Sequence, residues 1–476
     1  MSVTPPGRDD CPGAVDPTGL VNPRLSDVFG LVIRQDEVDF VVPHLSEDLP
    51  LCLDPFLLWK SDRPEYQEIH EALVGFVEQI RRHALAGRTA AARSLLAEIR
   101  EPDELGLGYA VGTKRGSAIG PALSEAIIEG FREVPQLGAT GLNHIEILAL
   151  LIPKVAEDRN SDLTASVMKR WLATFTTERC RCFGIPTRRY RLNGWDSDRL
   201  EWQPFDAELP YDPSHGSPVL LAPLALLRRL PWINYPDYYK TTYLRLVLPP
   251  GRHNRAVAKA TVLAHNRAHY QVVSSYVTSR EQQADECGAD PLFTPLRLDT
   301  LRRKAQELHT LTTGRTGGAD KKFESLAFDL LSSLLYPELD LAGRQERTIS
   351  GAHIRDVIFH NDGKAPFLCD LRDLYAARQV VIELKNVVAL NPENVNQLYR
   401  YLDDASMGRF GVLLARTPPP RNVQQNIIDL HSAKRAAIVC LDDSDIDLMV
   451  QLLDAGRRPI EALRKKYVEF TRRLPQ

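Results

Sequence analysis

Cysteine is scarce in this sequence, and apolar runs of membrane-spanning length are missing. Seven cysteines are spread over 476 residues, and the only closely spaced pair is the C-x-C of Cys180 and Cys182. This spacing favours reduced thiols over a disulfide framework or a zinc centre. No apolar run approaches the roughly 18 residues that cross a bilayer, and the N-terminal MSVTPPGRDDCPG does not look like a signal peptide. The sequence therefore predicts a cytoplasmic protein.

A net charge of one sign is also missing. Lys plus Arg number 59 and Asp plus Glu 62, which leaves a formal charge of −3. No whole-molecule field then attracts nucleic acid or an anionic membrane, so any such attraction must be local. The content of 43% hydrophobic and 25% charged residues is typical of folded globular domains.

Composition and apolar spacing divide the chain into five segments. Helical spacing recurs at 64–100, 121–131 and 143–175, whereas SPVLLAP and TTYLRLVLP are β-rich runs between prolines. Gly314, Gly317 and Gly318 have the composition of a hinge. The predicted organisation is a flexible leader (1–25), a mostly helical domain (26–203), an α/β extension or second subdomain (204–312), a hinge (313–320) and a C-terminal domain (321–476).

The C-terminal domain has a readable order of elements. The pattern predicts a helix at 321–335, strands at 347–349, 354–360 and 379–384, a helix at 392–405, a strand at GVLLA, a helix at 422–434, a strand at AAIVCL and two final helices. This αβββαβ order with a further helix and strand predicts a mixed sheet with helices on both faces, in the α/β class.

Two of the predicted strands carry charged residues. Asp356 lies in HIRDVIF, and Glu383 and Lys385 lie in VVIELKN. Side chains alternate along a strand, so Glu383 and Lys385 share one face. If the strands are neighbours, Asp356 and Glu383 can converge on one Mg²⁺, which prefers oxygen ligands, with Lys385 beside the attacking water. That arrangement suits phosphodiester hydrolysis.

Neighbouring helices offer supporting side chains. Glu324 can add a carboxylate to the site, and Gln397 and Tyr401 form an i, i+4 pair on one helix face. Plainer interpretations stay open, because E-x-K on a strand is often a solvated ion pair and Glu324 can be a first-turn glutamate favoured by the helix dipole.

These residues, in this order, resemble the PD-(D/E)-x-K nucleases, the restriction-endonuclease-like superfamily, and within it the subgroup with Q-x-x-x-Y on the helix after the core motif. The likeness covers about residues 319–476. It implies a Mg²⁺-dependent nuclease, with Mn²⁺ as a substitute metal, in which Asp356, Glu383 and Glu324 bind the metal and Lys385 is the catalytic lysine. Gln397 and Tyr401 would be supporting residues. The sequence departs from the motif at Arg355, where the motif name has Pro, and in the insertion DGKAPFLCDLRDLYAAR between the acidic strands.

The N-terminal half contains two candidate nucleic-acid contacts. Arginines are interleaved with aromatic residues in TERCRCFGIPTRRYRLNGW, a pattern that can grip phosphates, with a solvated basic edge as the alternative. The glycine-rich ELGLGYAVGTKRGSAIGP precedes a helix and can present amides to a phosphate or serve as a connection. The candidate residues are Arg179, Arg181, Arg188, Arg189, Arg191, Lys114 and Arg115.

The leading hypothesis is a DNA endonuclease with an N-terminal sensing or regulatory region. The patterns IPKVAEDRNSDLTASVMKRWL and HGSPVLLAPLALLRRLP are similar to modules that accompany nuclease domains in bacterial defence proteins, so defence against foreign DNA is the expected setting. A nucleic-acid-binding scaffold with an inactive nuclease fold and an RNase with the same site are the alternatives. A partner subunit, an activating ligand and self-association stay open.

Overall fold

The computed structural model describes most of the chain. The described residues are 20–100, 103–108, 119–134, 137, 142–247, 257–347, 354–402 and 407–475. Within these ranges, the side chains of residues 157, 344–347 and 354–356 are not described. Among the described residues no helix is both long enough and apolar enough to cross a membrane.

The chain forms two compact units. Unit 1 contains Val38–Pro291, and the described part of unit 2 contains residues 20–37 together with 292–475. The division near residue 291 falls before the predicted hinge at 313–320. The reason is that Leu301, Ala305 and Leu308 of the intervening helix pack into the core of unit 2. The predicted extension 204–312 is therefore split between the two units.

Unit 1 is mainly helical up to residue 183, as the apolar spacing predicts. After the single turn α1 (Leu25–Val28), which belongs to unit 2, its first helix is α2. The helices are α2 (Pro55–Trp59), α3 (Pro64–Leu85), α4 (Thr89–Ala97), α5 (Pro121–Glu133), α6 (Leu148–Leu151), α7 (Glu157–Val167) and α8 (Lys169–Phe183). Proline at the first position of α3 and α5 suits a helix start, and Leu73 and Phe76 of α3 are fully buried.

The remainder of unit 1 differs from its prediction. A two-stranded hairpin of β2 (Arg188–Asp196) and β3 (Glu201–Leu209) occupies part of the segment predicted as mostly helical. The β-rich run SPVLLAP forms only isolated bridges at Pro218 and Pro223, and a short pair joins β1 (Cys52–Leu53) to β4 (Leu227–Arg228).

The run TTYLRLVLP is not a strand over its described residues. After α9 (Tyr235–Tyr238) the chain continues as a π-helix over Tyr239–Val247, and α10 (Lys259–Ala268) and α11 (Tyr270–Gln282) follow. Tyr235, Tyr239 and Tyr243 stack on one another in this helical conformation. These ring contacts override the β propensity of the β-branched and aromatic residues in the run.

Unit 2 follows the predicted order of elements closely. Its elements are α12 (Leu298–Thr310), α13 (Ala319–Leu334), β5 (Asp340–Arg347), β6 (Ile354–His360), α14 (Pro366–Tyr375), β7 (Gln379–Leu384), α15 (Pro392–Leu402), β8 (Phe410–Leu414), α16 (Arg421–Lys434), β9 (Ala437–Leu441), α17 (Asp443–Asp454) and α18 (Ile460–Thr471). The predicted strand at 347–349 lies earlier, as β5, because this polar strand at the sheet edge gives little apolar signal.

The five strands of unit 2 form one mixed sheet in the order β5-β6-β7-β8-β9. The pairs β5/β6 and β6/β7 are antiparallel, and the pairs β7/β8 and β8/β9 are parallel. The predicted α/β class with a mixed sheet is confirmed. The insertion between the acidic strands folds as α14 and leaves β6 and β7 paired. Every residue of the central strand β7 is buried.

The segment at residues 20–37 is a part of unit 2. The guanidinium of Arg24 is buried between Asp340 (3.0 Å) and Asp362 (2.8 Å), and the carboxylate of Asp27 lies 3.1 Å from the His360 ring. The predicted flexible leader is therefore wrong for residues 20–25, because two buried ion pairs fix this part of the chain. The rest of the leader, residues 1–19, lies outside the described residues.

Candidate active site

Strand β7 brings an acidic residue to the centre of the sheet. The run Gln379–Leu384 is apolar except for Gln379 and Glu383, and Glu383 is only 2% exposed. A charge is costly in such a strand unless its surroundings stabilise it. Buried Glu383 therefore requires specific partners.

Two side chains donate hydrogen bonds to one oxygen of that carboxylate, and a third contacts one of them. Oε1 of Glu383 accepts hydrogen bonds from Nζ of Lys385 at 2.6 Å and from Nε2 of Gln397 at 3.0 Å. The same Nε2 also donates to Oη of Tyr401 at 3.2 Å, and Oε1 of Gln397 accepts from Lys385 at 3.2 Å. The structure thus brings together four of the predicted site residues in one hydrogen-bonded group.

Helix α15 places Gln397 and Tyr401 correctly because it is strongly amphipathic. Val395, Leu398 and Leu402 are buried in the core of unit 2. Four residues separate Gln397 from Tyr401, so their side chains meet on one face of the helix. The predicted i, i+4 pair is confirmed by its hydrogen bond.

The second oxygen of Glu383 is different. Oε2 is buried and has no hydrogen-bond partner among the described residues. Burial raises the pKa of Glu383, the ammonium of Lys385 opposes that shift, and the charge of Glu324 adds to it. Glu324, on α13, is therefore close enough to Glu383 for their charges to interact.

The position of Asp356 is known only through the backbone. It lies in β6, where the antiparallel register with β7 pairs Val357 with Ile382. One step further along this register leads to Asp356 and Glu383. The side chain of Asp356 lies outside the described part of the structure, so the register gives only the backbone position of Asp356 relative to Glu383.

A divalent cation fits the chemistry of these residues. The orphan oxygen of Glu383 is buried, and burial raises the pKa of its carboxyl group, so an additional positive charge there would favour the ionised form. Carboxylate oxygens are the ligands that Mg²⁺ prefers. Among the side chains that the structure describes, however, no group of three or more His, Cys, Asp or Glu is arranged to hold a metal. The side chain of Asp356 is not among those described.

Two residues that the sequence analysis missed hold the end of β7. The side chain of Asn386 donates to the carbonyls of Thr312 (3.0 Å) and Gly314 (2.9 Å), and its Oδ1 accepts from Arg416 at 3.2 Å. Arg416 is buried and pairs with Asp443 at 2.8 Å. This network ties the predicted hinge to the residue after Lys385. The one local indication of this role in the sequence is the polar Asn386 directly after E-L-K.

The predicted arginine cluster of unit 1 is partly neutralised. Arg179 pairs with Asp39 at 2.6 Å. Arg189 pairs with Asp206 at 2.7 Å across the β2/β3 hairpin. Arg188 lies over the ring of Tyr211 at 3.8 Å. These three side chains are engaged within the protein, so they do not form the open cationic patch that the sequence suggested.

The remaining predicted contacts of unit 1 have varied outcomes. Arg181 and Arg191 are exposed, and Arg181 lines a groove of about 480 Å³ between α8 and β3 that also contains Glu178 and Glu208. Lys114 and Arg115, in the glycine-rich loop, lie outside the described residues.

Comparison with known sequences adds little to this picture. Residues 30–234 match the family model of a domain of unknown function, DUF8370. That match covers less than half of the chain and does not include Glu383 or any other residue of the candidate active site. No curated protein matches the sequence.

Proposed function

We propose that Glu383 and Lys385 belong to the active site of a metal-dependent phosphodiester hydrolase, a nuclease. The observation that carries the proposal is the buried carboxylate of Glu383. One of its oxygens is bound by Lys385 and Gln397, and the other has no hydrogen-bond partner among the side chains that the structure describes. A buried acid beside an ammonium, with one open oxygen, is suited to binding a cation next to a phosphate.

The ligand set follows from the residues near this oxygen. Glu383 and Asp356 would hold Mg²⁺ or Mn²⁺, with Glu324 as a further carboxylate. Bound there, the cation would supply positive charge that stabilises the developing phosphorane and increases the acidity of the attacking water.

The protein's own side chains have separate tasks in the hydrolysis. The oxygen of a water molecule forms a new bond to phosphorus, a P–O ester bond breaks, and the water's proton leaves while the departing oxygen gains one. The ammonium of Lys385 has three protons, of which two are donated to Glu383 and Gln397. The third can point to the attacking water or to a phosphoryl oxygen.

Gln397 and Tyr401 act as positioning residues for that lysine. Gln397 contacts Glu383 and Lys385 at once, so it fixes the distance between acid and ammonium. Tyr401, which is 2% exposed, accepts a hydrogen bond from the same amide and holds its orientation. Neither side chain needs to touch the phosphate.

DNA is the proposed substrate, with endonucleolytic cleavage and a setting in defence against foreign DNA. The resemblance of residues 319–476 to restriction-endonuclease-like proteins supports this choice. The chemistry itself acts on the phosphate and does not select the sugar. RNA is for that reason an outcome of the test below.

The test combines cleavage with metal binding. The full chain is incubated with plasmid, linear duplex, single-stranded DNA and RNA, in Mg²⁺, Mn²⁺ or EDTA, and Mn²⁺ binding is measured by calorimetry. We expect cleavage only with metal, and loss of both cleavage and Mn²⁺ binding in Glu383→Gln. The matched control is Glu146→Gln, which neutralises a buried carboxylate in unit 1. Cleavage that persists in Glu383→Gln, or no cleavage and no Mn²⁺ binding by the wild type, would contradict the proposal.

A further inference from the structure

A long part of unit 1 contains no acidic residue. Residues 238–280 include no Asp or Glu but seven Lys or Arg and three His, although 62 of the 476 residues in the chain are acidic. The described part of this segment forms the last residue of α9, the π-helix, α10 and most of α11. A local positive potential therefore exists in a chain whose overall charge is close to zero.

A stack of aromatic rings holds this segment in shape. The rings of Tyr235, Tyr239 and Tyr243 lie face to face, with centroids 5.9 Å apart in both steps. Nζ of Lys259 lies 4.6 Å from the centroid of Tyr235, and His265 packs edge-on against Tyr243 at 5.5 Å. The stack thus joins the π-helix to α10 at both of its ends.

The faces of these rings are already used. Tyr239 lies between two tyrosines, and Tyr235 lies between Tyr239 and Lys259. A nucleotide base stacks on an open aromatic face. The stack is therefore a rigid support for neighbouring cations and not a platform for bases.

Two of those cations are exposed on the π-helix. Lys240 and Arg245 are five positions apart, and a π-helix repeats its hydrogen bonds from i to i+5, so the two side chains leave successive turns on nearly the same side. In the part of the chain that the structure describes, neither residue nor Lys259 forms an ion pair. By contrast, Arg267 pairs with Glu133 at 3.1 Å and Arg280 lies 3.7 Å from Asp237.

We propose that Lys240, Arg245 and Lys259, supported by the tyrosine stack, form a surface that binds the phosphate backbone of nucleic acid. The choice of nucleic acid among polyanions rests on the proposed function. Because the rings already stack on one another and the surface offers cations for phosphate contacts, recognition is of phosphate and independent of base sequence. The surface replaces the predicted arginine cluster, whose members Arg179 and Arg189 are paired with carboxylates.

The test is a binding titration of the full chain in EDTA, so that cleavage does not interfere. Fluorescent duplex and single-stranded oligonucleotides of mixed sequence are titrated at several salt concentrations. In K240E/R245E we expect the Kd to increase at least about tenfold and the slope of log K against log salt to fall by about 2, one unit for each lost phosphate contact. In K240A/R245A the Kd and the salt slope should change in the same direction by a smaller amount. This variant replaces K240E/R245E in the test if the charge reversal prevents folding.

The matched control is R88E/R199E, which changes the net charge equally at two exposed positions of unit 1 outside this surface. It should bind within about twofold of the wild type at moderate salt, because only local contacts release counterions. Equal weakening in both double variants, or wild-type binding by folded K240E/R245E, would overturn the inference. Binding to anionic vesicles without binding to oligonucleotides would also overturn it.

These outcomes are separate from those of the proposed function. Wild-type protein that binds through this surface but never cleaves would support the inference and contradict the nuclease proposal. Cleavage by the wild-type protein, together with an unchanged KM in K240E/R245E, would support the nuclease proposal and contradict the inference.

Discussion

Each unit of this protein buries a glutamate near a second acidic residue, and the two buried glutamates, Glu146 and Glu383, have different surroundings. In unit 1, Glu146 is fully buried near Asp54, and no side chain donates to the Glu146 carboxylate among the described residues. Burial and the charge of Asp54 raise the pKa of Glu146 well above its usual range. In unit 2, Glu383 has the charge of Glu324 nearby but also accepts hydrogen bonds from Lys385 and Gln397.

The comparison shows what separates a structural buried acid from a candidate catalytic one. Burial alone favours the neutral carboxyl group, as in Glu146. An adjacent ammonium keeps Glu383 able to ionise, and the side chain of Lys385 is 19% exposed, so solvent reaches the site. The pKa is raised in both Glu146 and Glu383, but of these two carboxylates Glu383 is the one that accepts a hydrogen bond from an ammonium, and that of Lys385 is partly exposed.

Removing Lys385 should make the surroundings of Glu383 resemble those of Glu146. In Lys385→Ala we expect Mg²⁺-dependent kcat to fall by about 10³-fold or more, since both the charge and its proton are lost. The pKa of Glu383 should also rise further, because the ammonium no longer opposes the effect of burial. The measurement is kcat, together with Mn²⁺ binding, as a function of pH.

The direction of this pH dependence can be stated in advance. Glu383 must be ionised to bind a cation, so wild-type metal binding should weaken as pH falls through its raised pKa. In Lys385→Ala the same loss should begin at a higher pH. Identical pH profiles in the two proteins would contradict the role given to Lys385.

The two units also differ in how the chain assembles them. The described part of unit 1 is one continuous segment, whereas unit 2 contains residues 20–37 in addition to 292–475. Arg24→Ala leaves Asp340 and Asp362 buried without their cation, which should lower the free energy of unfolding of unit 2 by about 3–5 kcal/mol. Hydrogen exchange of β6 and β7 measures this loss.

A convenient internal reference exists for that variant. All five tryptophans of the chain lie in unit 1, so the urea transition followed by tryptophan fluorescence reports on that unit. Arg24→Ala should leave this transition unchanged. The control Arg34→Ala breaks a more exposed pair with Glu37 and should cost less than about 1 kcal/mol. Equal effects of the two variants would argue against a fixed segment at residues 20–37.

Loss of the amide that links acid and lysine should have a smaller effect. In Gln397→Ala we expect kcat to fall by about 10–100-fold with little change in KM, because the residue orients Lys385 and does not bind substrate. Arg400→Ala, on the same helix but paired with exposed Glu393, is the control and should keep wild-type kcat. A change confined to KM would mean that Gln397 contacts the substrate.

The smallest effect is expected in unit 1. The folded-state pKa of Glu146 lies above its unfolded value, so this group lowers stability as pH rises from its ordinary pKa through the raised one. Glu146→Gln removes that charge and should increase the free energy of unfolding at pH 8 by about 1 kcal/mol or more, with a smaller gain at pH 5. Tryptophan-detected urea unfolding at the two pH values measures it, with exposed Glu68→Gln as the control.

The candidate site was largely predictable because its residues lie on regular elements with clear periodicity. Glu383 and Lys385 are two positions apart at the end of an apolar strand, and Gln397 and Tyr401 are four apart on an amphipathic helix. Such spacings determine which side chains share a face before any long-range contact is known. Asn386 and Arg416 escaped prediction because 30 residues separate them in the chain.

The errors in unit 1 have a similar cause. The run around Tyr243 has β-rich composition, and only its ring contacts with Tyr239 and with His265 of another helix make it helical. The charge of Arg179 is evident in the sequence, but its partner Asp39 is 140 residues away. Secondary-structure propensity and the local charge pattern contain no information about partners that are distant in the chain.

The sequence by itself determined the order of elements in unit 2, the buried strand with its Glu383 and Lys385, and the acid-free segment at 238–280, because each depends on residues that are close in the chain. Only the tertiary structure decided that residues 20–37 complete unit 2, that β6 pairs with β7, and that one oxygen of Glu383 has no partner within the described part of the chain. These features depend on contacts between distant segments. Burial and ion pairing act through space, and local spacing carries no information about them.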